Sequence, residues 1–281
     1  METRELAYFV AVAEELHFGR AAQRLGMAQP PLSRAIQQLE RRMGVTLLER
    51  TSRGVCLTPA GAVFLAESRK ALDAVEAAVR RAQRAGEEVP KLLVAMKPDG
   101  DAGLLERILP GYRADPDAIE AEIVVCGIGE QSRMLRDGRA DLAFLHGPHD
   151  DVAGFDTELL LEQDQLAMLP RGHRLAGRAA LVMADLEGEP FPRWPGSEVP
   201  GPEVRDAGQL LQLIALGQVV AVVPESARRH VRPDVVCVPV LDAPRTSVVL
   251  AWPDRTRSRA AAAFVRACTG VADDSRVAVD R

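Results

Sequence analysis

The sequence predicts an α/β chain in three parts. These are an all-α amino-terminal segment closed by a short hairpin, one long connecting helix, and a carboxy-terminal region of two α/β lobes. Three observations predict it. Apolar residues recur at helical spacing through residues 2–43, broken by turns at Leu16-His17 and Gly26. A seven-residue apolar repeat runs through 59–85. From residue 91 onward, short apolar runs alternate with helical stretches, the pattern of parallel strands joined by crossover helices.

Residues 2–16 read as a helix with Leu6, Phe9, Val10, Ala13 and Leu16 on its inner face. A second helix, 18–25, carries Ala21, Ala22 and Leu25, and Gly26 breaks it. The third, 30–43, places Leu32, Ile36, Leu39 and Met43 inward. Pro30 and Pro31 fall in its first turn, where the missing N–H has no intrahelical partner to lose. Gln29, Ser33, Arg34 and Gln37 are left facing outward on a rigid rod, and amide, hydroxyl and guanidinium groups are the types that bond base edges and phosphates. Two helices meeting at a tight turn, the outward-facing one second, make a helix-turn-helix. VTLLER and GVCLT read as two strands joined by Thr51-Ser52-Arg53-Gly54, a wing whose tip Arg53 is placed for a minor groove and whose Arg50 is placed for the backbone. Away from such a helix pair, both arginines read as plain solvated turn residues.

Thr58-Pro59 is a helix start, a capping hydroxyl followed by proline at the first helical position. The helix over 59–85 repeats Leu65, Leu72 and Val79 every seven residues, with Ser68, Val75 and Ala82 between them. Such a seam calls for a partner: a second copy of the chain, or the chain's own carboxy-terminal region. Gly86 to Pro90 ends it. The domains expected are therefore 1–58, 59–90 and 91–281.

In the last of these, strands are expected at 92–96, 119–125 and 140–145, with helices at 104–112 and 130–138 between them. Residues 155–170 cross from lobe I (about 91–162, plus a carboxy-terminal return) to lobe II (about 163–245). There, helix 208–216, strand 219–223 and short helix 225–230 precede two more strands, and 258–270 is the final helix. The tail from 271 reads as unstructured. Ligands in such folds sit beyond the carboxyl ends of the strands. The candidates are Lys97, Asp99 and Asp101, then Gly127, Ile128 and Gly129, then His146, with Arg193 and Trp194 facing them from lobe II. Loop amides with Lys97 or Arg193 suit a small carboxylate, while Asp99 and Asp101 oppose one, and each residue also reads as an ordinary solvated loop position.

The net charge of −5 is unevenly spread. Residues 1–58 hold 8 Arg and Lys against 6 Asp and Glu, net +2, whereas 91–281 hold 22 against 29, net −7. A small basic face on an acidic body suits binding at a specific DNA site without coating DNA. No apolar run is long enough to span a bilayer and no signal-peptide pattern opens the chain, so a cytoplasmic protein without a membrane partner is expected. Four scattered cysteines include no CxxC. His146-Gly-Pro-His149-Asp150-Asp151 matches no metal-site spacing, Gly127–Gly129 lacks the third glycine of a dinucleotide loop, and no GxSxG, HExxH or P-loop occurs. No metal, cofactor or enzymatic activity is expected.

The series Leu6, Phe9, Phe18, Ala21-Ala22, Leu25, Gln29-Pro30, Ser33, Ile36, Leu39-Glu40, Gly44, Leu47, Glu49-Arg50 and Leu57-Thr58-Pro59-Ala60-Gly61 resembles LysR-type transcriptional regulators, without a gap. The resemblance implies that Gln29, Pro30, Pro31, Ser33 and Arg34 face the DNA groove and that Arg53 is the wing tip. It implies that the connecting helix, through Leu65, Leu72, Val75 and Val79, pairs chains into a homodimer or homotetramer. ADLAF and LAMLPRGHRLAGRAALVMADLEGEPF resemble the family's effector domain, whose two α/β lobes are similar to periplasmic binding proteins. The fold class is thus α/β with an N-terminal all-α winged helix-turn-helix. The expected function is a sequence-specific regulator of promoter DNA modulated by a small-molecule effector, with RNA polymerase as a further partner. The alternative is an effector-independent assembly protein. Four departures stand out. His17 replaces the more usual Ser or Gly, Leu48 replaces Phe, Gln218 replaces a glycine, and lobe II is shortened between residues 188 and 224.

Overall fold

The computed structural model describes residues 1–51, 54–195, 197, 199–254 and 256–279, with the side chains of Arg50, Thr51 and 274–279 left aside. Two units emerge from the contacts: Met1–Gln83 with Arg136–Gly138, and Arg84–Leu135 with Arg139–Arg281.

The first unit holds α1 (Thr3–Glu15), α2 (Phe18–Arg24), α3 (Gln29–Met43), the hairpin β1 (Leu48–Thr51) and β2 (Gly54–Leu57), and α4 (Pro59–Ala85). Phe9, Ala21, Leu32, Leu39 and Leu47 are wholly buried at its centre. Two inner-face positions differ from expectation. Leu16 is 45% exposed because it takes the left-handed conformation that ends α1, and Met43 is 39% exposed because the last turn of α3 runs past the core. Thr58 Oγ1 accepts from Gly61 N at 2.9 Å, which caps α4. At Gly61 the helix backbone passes so close to the preceding segment that a Cβ would lie 2.0 Å from the Leu47 carbonyl oxygen. Leu65 packs on this same core, as does Phe64, whose ring centre lies 4.9 Å from that of Phe9. The heptad seam is thereby divided: its beginning is used within the chain, and Val75 and Val79 farther along are exposed.

The second unit contains two sheets. The five-stranded sheet has the order β4-β3-β5-β10-β6, built from β3 (Lys91–Met96), β4 (Glu120–Val125), β5 (Leu142–Gly147), β6 (Phe155–Gln163) and β10 (Thr246–Pro253). β4, β3 and β5 are parallel, while β10 runs antiparallel to both β5 and β6. Helices α5 (Leu105–Ala114) and α8 (Arg259–Val279) cover one face, with Tyr112 and Phe264 buried at ring centres 5.2 Å apart. Residues of α6 (Gln131–Arg136), Met134 and Leu135, join a separate cluster with Ala95, Ala143 and Leu145. Lobe II is a smaller antiparallel sheet, β8-β7-β9, formed by β7 (Gln165–Pro170), β8 (Ala221–Pro224) and β9 (Val235–Val240). Helix α7 (Ala207–Ala215) packs on one face. Between Pro190 and Asp206 the described residues include the bridge of Arg193 with Glu203.

Two connections join the lobes, β6 to β7 and β9 to β10. Arg245 Nε donates to Asp164 Oδ1 at 3.0 Å, and the Gln165 amide donates to the Pro244 carbonyl, so the two crossings are tied together. The tail expected to be unstructured is helical through Val279. Its apolar face continues past Gly270: Cys268 and Ala272 are both buried in the core of lobe I, and burial there holds the helix despite the charged sequence that follows.

Candidate functional site

The outward face of α3 rests on a fixed base. His17 ends the α1–α2 turn by accepting from Gly19 N (3.0 Å) and Arg20 N (3.2 Å) on Nδ1, taking the place a capping hydroxyl would fill. Glu40, on the inner side of α3, accepts from Leu47 N (2.8 Å) and Leu48 N (3.1 Å), which fixes where the hairpin begins. Arg42 Nη2 bonds Glu5 Oε2 at 2.6 Å, joining α3 to α1, and holds the Glu5 carboxyl down at about 2. Glu14 takes Arg24 and Arg69 at 2.7 Å each, joining α1 to α2 and α4. Of the basic residues counted toward a positive face, Arg42 is therefore a brace. None of the three braces was legible as such, since each partner pair is remote in sequence or set by helix packing.

Gln29, Pro30, Pro31, Arg34 and Gln37 are exposed on α3, and Ser33 is half-buried. Among the described residues no carboxylate lies within ion-pair distance of Arg34, so its guanidinium is not neutralised by the chain. Arg53 and the side chain of Arg50 lie outside the described residues. The hairpin register pairs Leu48 with Leu57 and Thr51 with Gly54.

The loop residues of the second unit come together differently. Lys97, Cys126, His146, His149 and Asp150 form one electrostatic neighbourhood. Burial, then the Lys97 charge, pushes the His146 imidazole down to about 3, and burial lowers Lys97 below the usual lysine range. His146 Nε2 donates to the Gly100 carbonyl at 2.8 Å, which fixes its tautomer and leaves Nδ1 buried with no partner among the described residues. Gly127 N donates to Glu130 Oε2 at 2.9 Å and Ile128 N to the Arg205 carbonyl at 3.0 Å.

The other candidates are already engaged. Asp99 pairs with His230 at 2.9 Å, Asp101 caps α5 through Leu105 N at 2.9 Å, and Arg193 is held by Glu203 at 2.5 Å. Trp194 packs against the core of lobe II, beside residues such as Val204 and Ile214. Arg193 is therefore not an unpaired cation awaiting a carboxylate, because Glu203 neutralises it. Among the described residues no cluster of three or more His, Cys, Asp or Glu side chains is disposed to hold a metal, and no helix is long and apolar enough to cross a membrane.

Residues 3–62 match the family described as bacterial regulatory helix-turn-helix protein, lysR family, and residues 85–273 match the LysR substrate binding domain. The chain is 33% identical over 277 residues to the uncharacterized HTH-type transcriptional regulator YnfL of Escherichia coli, covering 90% of this chain and 92% of that protein. It is 38% identical over 192 residues to the HTH-type transcriptional regulator AlsR of Bacillus subtilis, covering 68% and 63%. Among solved structures, full-length BenM has a TM-score of 0.53 at 30% identity, with 98% of each chain covered. Full-length CbnR complexed with its target DNA has a TM-score of 0.52 at 26% identity, covering 97% and 100%.

Proposed function

The chain belongs to the LysR family of DNA-binding transcription regulators, and from that premise we propose that it binds a specific promoter site as a homo-oligomer, under the control of a small-molecule effector held in its carboxy-terminal unit. The observation that carries the DNA reading is the outward face of α3: Gln29, Arg34 and Gln37 exposed on a helix whose opposite side, Leu32, Ile36 and Leu39, is locked in the core. A rod so anchored presents its amides and guanidinium to a major groove at small entropic cost, with Pro30, Pro31 and Ser33 at its leading turn. Arg50 and Arg53 extend the contact from the hairpin.

Val75 and Val79, exposed on α4 with Leu72 half-buried between turns, supply the apolar stripe for a second copy. Pairing sets two recognition helices on two half-sites, a helical turn or more apart. The effector reading rests on the hinged form of the second unit. Two sheets joined by two tied crossings can change angle, and a ligand with unequal affinity for two angles shifts their populations. Lys97, Gly127, Ile128 and His146 line the strand ends where such a ligand would be sensed. RNA polymerase is a further partner in this reading, and the compartment is the cytoplasm.

The test is fluorescence anisotropy on a labelled duplex from the intergenic DNA beside the encoding gene, with a scrambled duplex at the same salt. The expected preference is on the order of a thousandfold. Equal affinity for both duplexes with equal salt slopes would mean that only phosphates are read, and the proposal would fail. Sedimentation equilibrium of the same protein should give a dimer or tetramer, and a monomer at micromolar concentration would remove α4 as a pairing helix.

A further inference from the structure

Three buried polar atoms of the second unit, each without a partner among the described residues, lie on one face of the five-stranded sheet. They are His146 Nδ1, Thr246 Oγ1 and Gln163 Nε2, on residues 2%, 0% and 7% exposed. The strand register puts them in a row. Thr246 of β10 stands opposite Gln163 of β6, and Val248, two residues on, stands opposite His146 of β5. Residues paired across strands, and residues two apart along one strand, point to the same face. By that spacing the Cβ of Thr246 lies about 5 Å from that of Gln163 and about 7 Å from that of His146.

Their hydrogen-bonding roles complement one another in that order. Burial keeps the His146 imidazole neutral, and its one proton goes from Nε2 to the Gly100 carbonyl, so Nδ1 is an acceptor only. Gln163 Oε1 accepts from Ser226 N at 3.0 Å, and the amide nitrogen Nε2 is a donor only. The Thr246 hydroxyl between them both donates and accepts. None of the three bonds another directly, and a buried donor or acceptor left unpaired costs stability. One water bridges polar atoms about 5–6 Å apart, twice an ordinary hydrogen-bond length. It also offers an acceptor on one side and a donor on the other, as each gap requires.

We propose that two buried water molecules complete a hydrogen-bonded thread across β6, β10 and β5, one between Gln163 Nε2 and Thr246 Oγ1, the other between Thr246 Oγ1 and His146 Nδ1. Every donor in it points the same way. Ser226 N gives to Gln163, Gln163 through the first water to Thr246, Thr246 through the second to His146, and His146 to Gly100. The ends are the short 3-10 helix Glu225–His230 of lobe II and the loop after β3 in lobe I. Aligned hydrogen bonds polarise one another, so loosening one end weakens the rest. The thread is a positional link between the lobes that runs through the body of the sheet. It goes beyond the proposed function, since it needs no effector and exists in the free protein.

The experiment is hydrogen–deuterium exchange of the full-length protein, comparing Thr246→Val with Thr246→Ser. Valine keeps the shape and removes the hydroxyl, whereas serine keeps the hydroxyl. Thr246→Val should raise exchange in segment 225–230 about fivefold, the worth of one ordinary hydrogen bond, and Thr246→Ser should leave it near the wild-type rate. Unchanged or slower exchange in Thr246→Val, as a dry apolar pocket predicts, overturns the proposal, and so does equal loosening in both variants. Urea midpoints of Gln163→Leu, His146→Leu and the double variant give a second measurement, on strands two spacings or about 10 Å apart. Cutting either end opens the same thread, so the double variant should lose clearly less than the sum, and strictly additive losses overturn it. Where a variant fails to fold, a crystal structure of the wild-type protein decides. Two waters on the named atoms support the thread, and a direct bond or a closed dry contact there overturns it.

Discussion

The two ends of the chain treat polar side chains in opposite ways. In the amino-terminal unit the ion pairs lie beneath the working face, Glu5 with Arg42 and Glu14 with Arg24 and Arg69, and the groups on α3 stay turned to solvent. In the carboxy-terminal unit the loop groups are turned on one another: His146 on Gly100, Asp99 on His230, Arg193 on Glu203. The first arrangement is ready for a ligand as it stands. The second leaves fewer open groups at those loops, the His146 Nδ1 atom among them, so a ligand that displaces one of the existing partners gains less from each new hydrogen bond. The difference teaches that the fold can consume the polar residues it gathers at strand ends, as Asp99 and Arg193 are consumed here.

Breaking the base of the first arrangement should have the largest effect. Gly61→Val places a side chain where the Leu47 carbonyl already sits, 2.0 Å from the Cβ position, and should cost roughly 3 kcal/mol in urea unfolding. A loss under about 1 kcal/mol would mean that α4 is free to shift. Next is the working face itself. Arg34→Ala should weaken promoter binding by about 1–3 kcal/mol and relax preference at one base position if the guanidinium reads a base. A uniform loss on every duplex, with a shallower salt dependence, would reassign Arg34 to a phosphate.

The inward-turned loops are tested by acid. His146 has its imidazole lowered from the ordinary 6.5 to about 3 in the folded chain. As pH falls below about 6.5 the unfolded chain takes up a proton that the folded chain refuses, so this contribution is complete above pH 6.5 and is lost progressively down to about 3. Between pH 7 and pH 5 the loss should reach about 2 kcal/mol, read from urea midpoints, and His146→Gln should remove most of it. An unchanged pH 7-to-5 difference in the variant would show that His146 titrates normally. The smallest effect belongs to the cap. His17→Ala should cost about 1 kcal/mol and His17→Ser should restore most of that, since either side chain offers an acceptor to the first turn of α2. Equal losses in both variants would mean that the imidazole contributes by packing.

How far each region was legible follows from the range of its contacts. The helices of the first unit answer to a period visible within a dozen residues, and Gly26, Gly44 and Thr58-Pro59 punctuate it, so the boundaries of α2, α3 and α4 could be read directly. Leu16 and Met43 obeyed the period but lay where the helices outrun the core. Leu65 carried a heptad position yet packs within its own unit, because a seam shows spacing and not which surface fills it. At the strand ends the residue types were visible but their partners were not: Asp99 finds His230 and His146 finds Gly100 only once the lobes are assembled. The helix extending to Val279 escaped for a related reason, since its buried face is set by α5 and the sheet.

The sequence by itself determined the order of elements, the helix-turn-helix with its outward residues, and the family, because these depend on local periodicity, caps and residue identities at fixed spacing. The tertiary structure decided which polar groups are consumed by the fold and which are left over. That distinction depends on pairings between residues far apart in the chain, as in Arg42 with Glu5 or Arg245 with Asp164, and on burial that isolates a group such as the Gln163 amide from any acceptor. No local pattern encodes such an absence of a partner, since it exists only when every neighbour is in place.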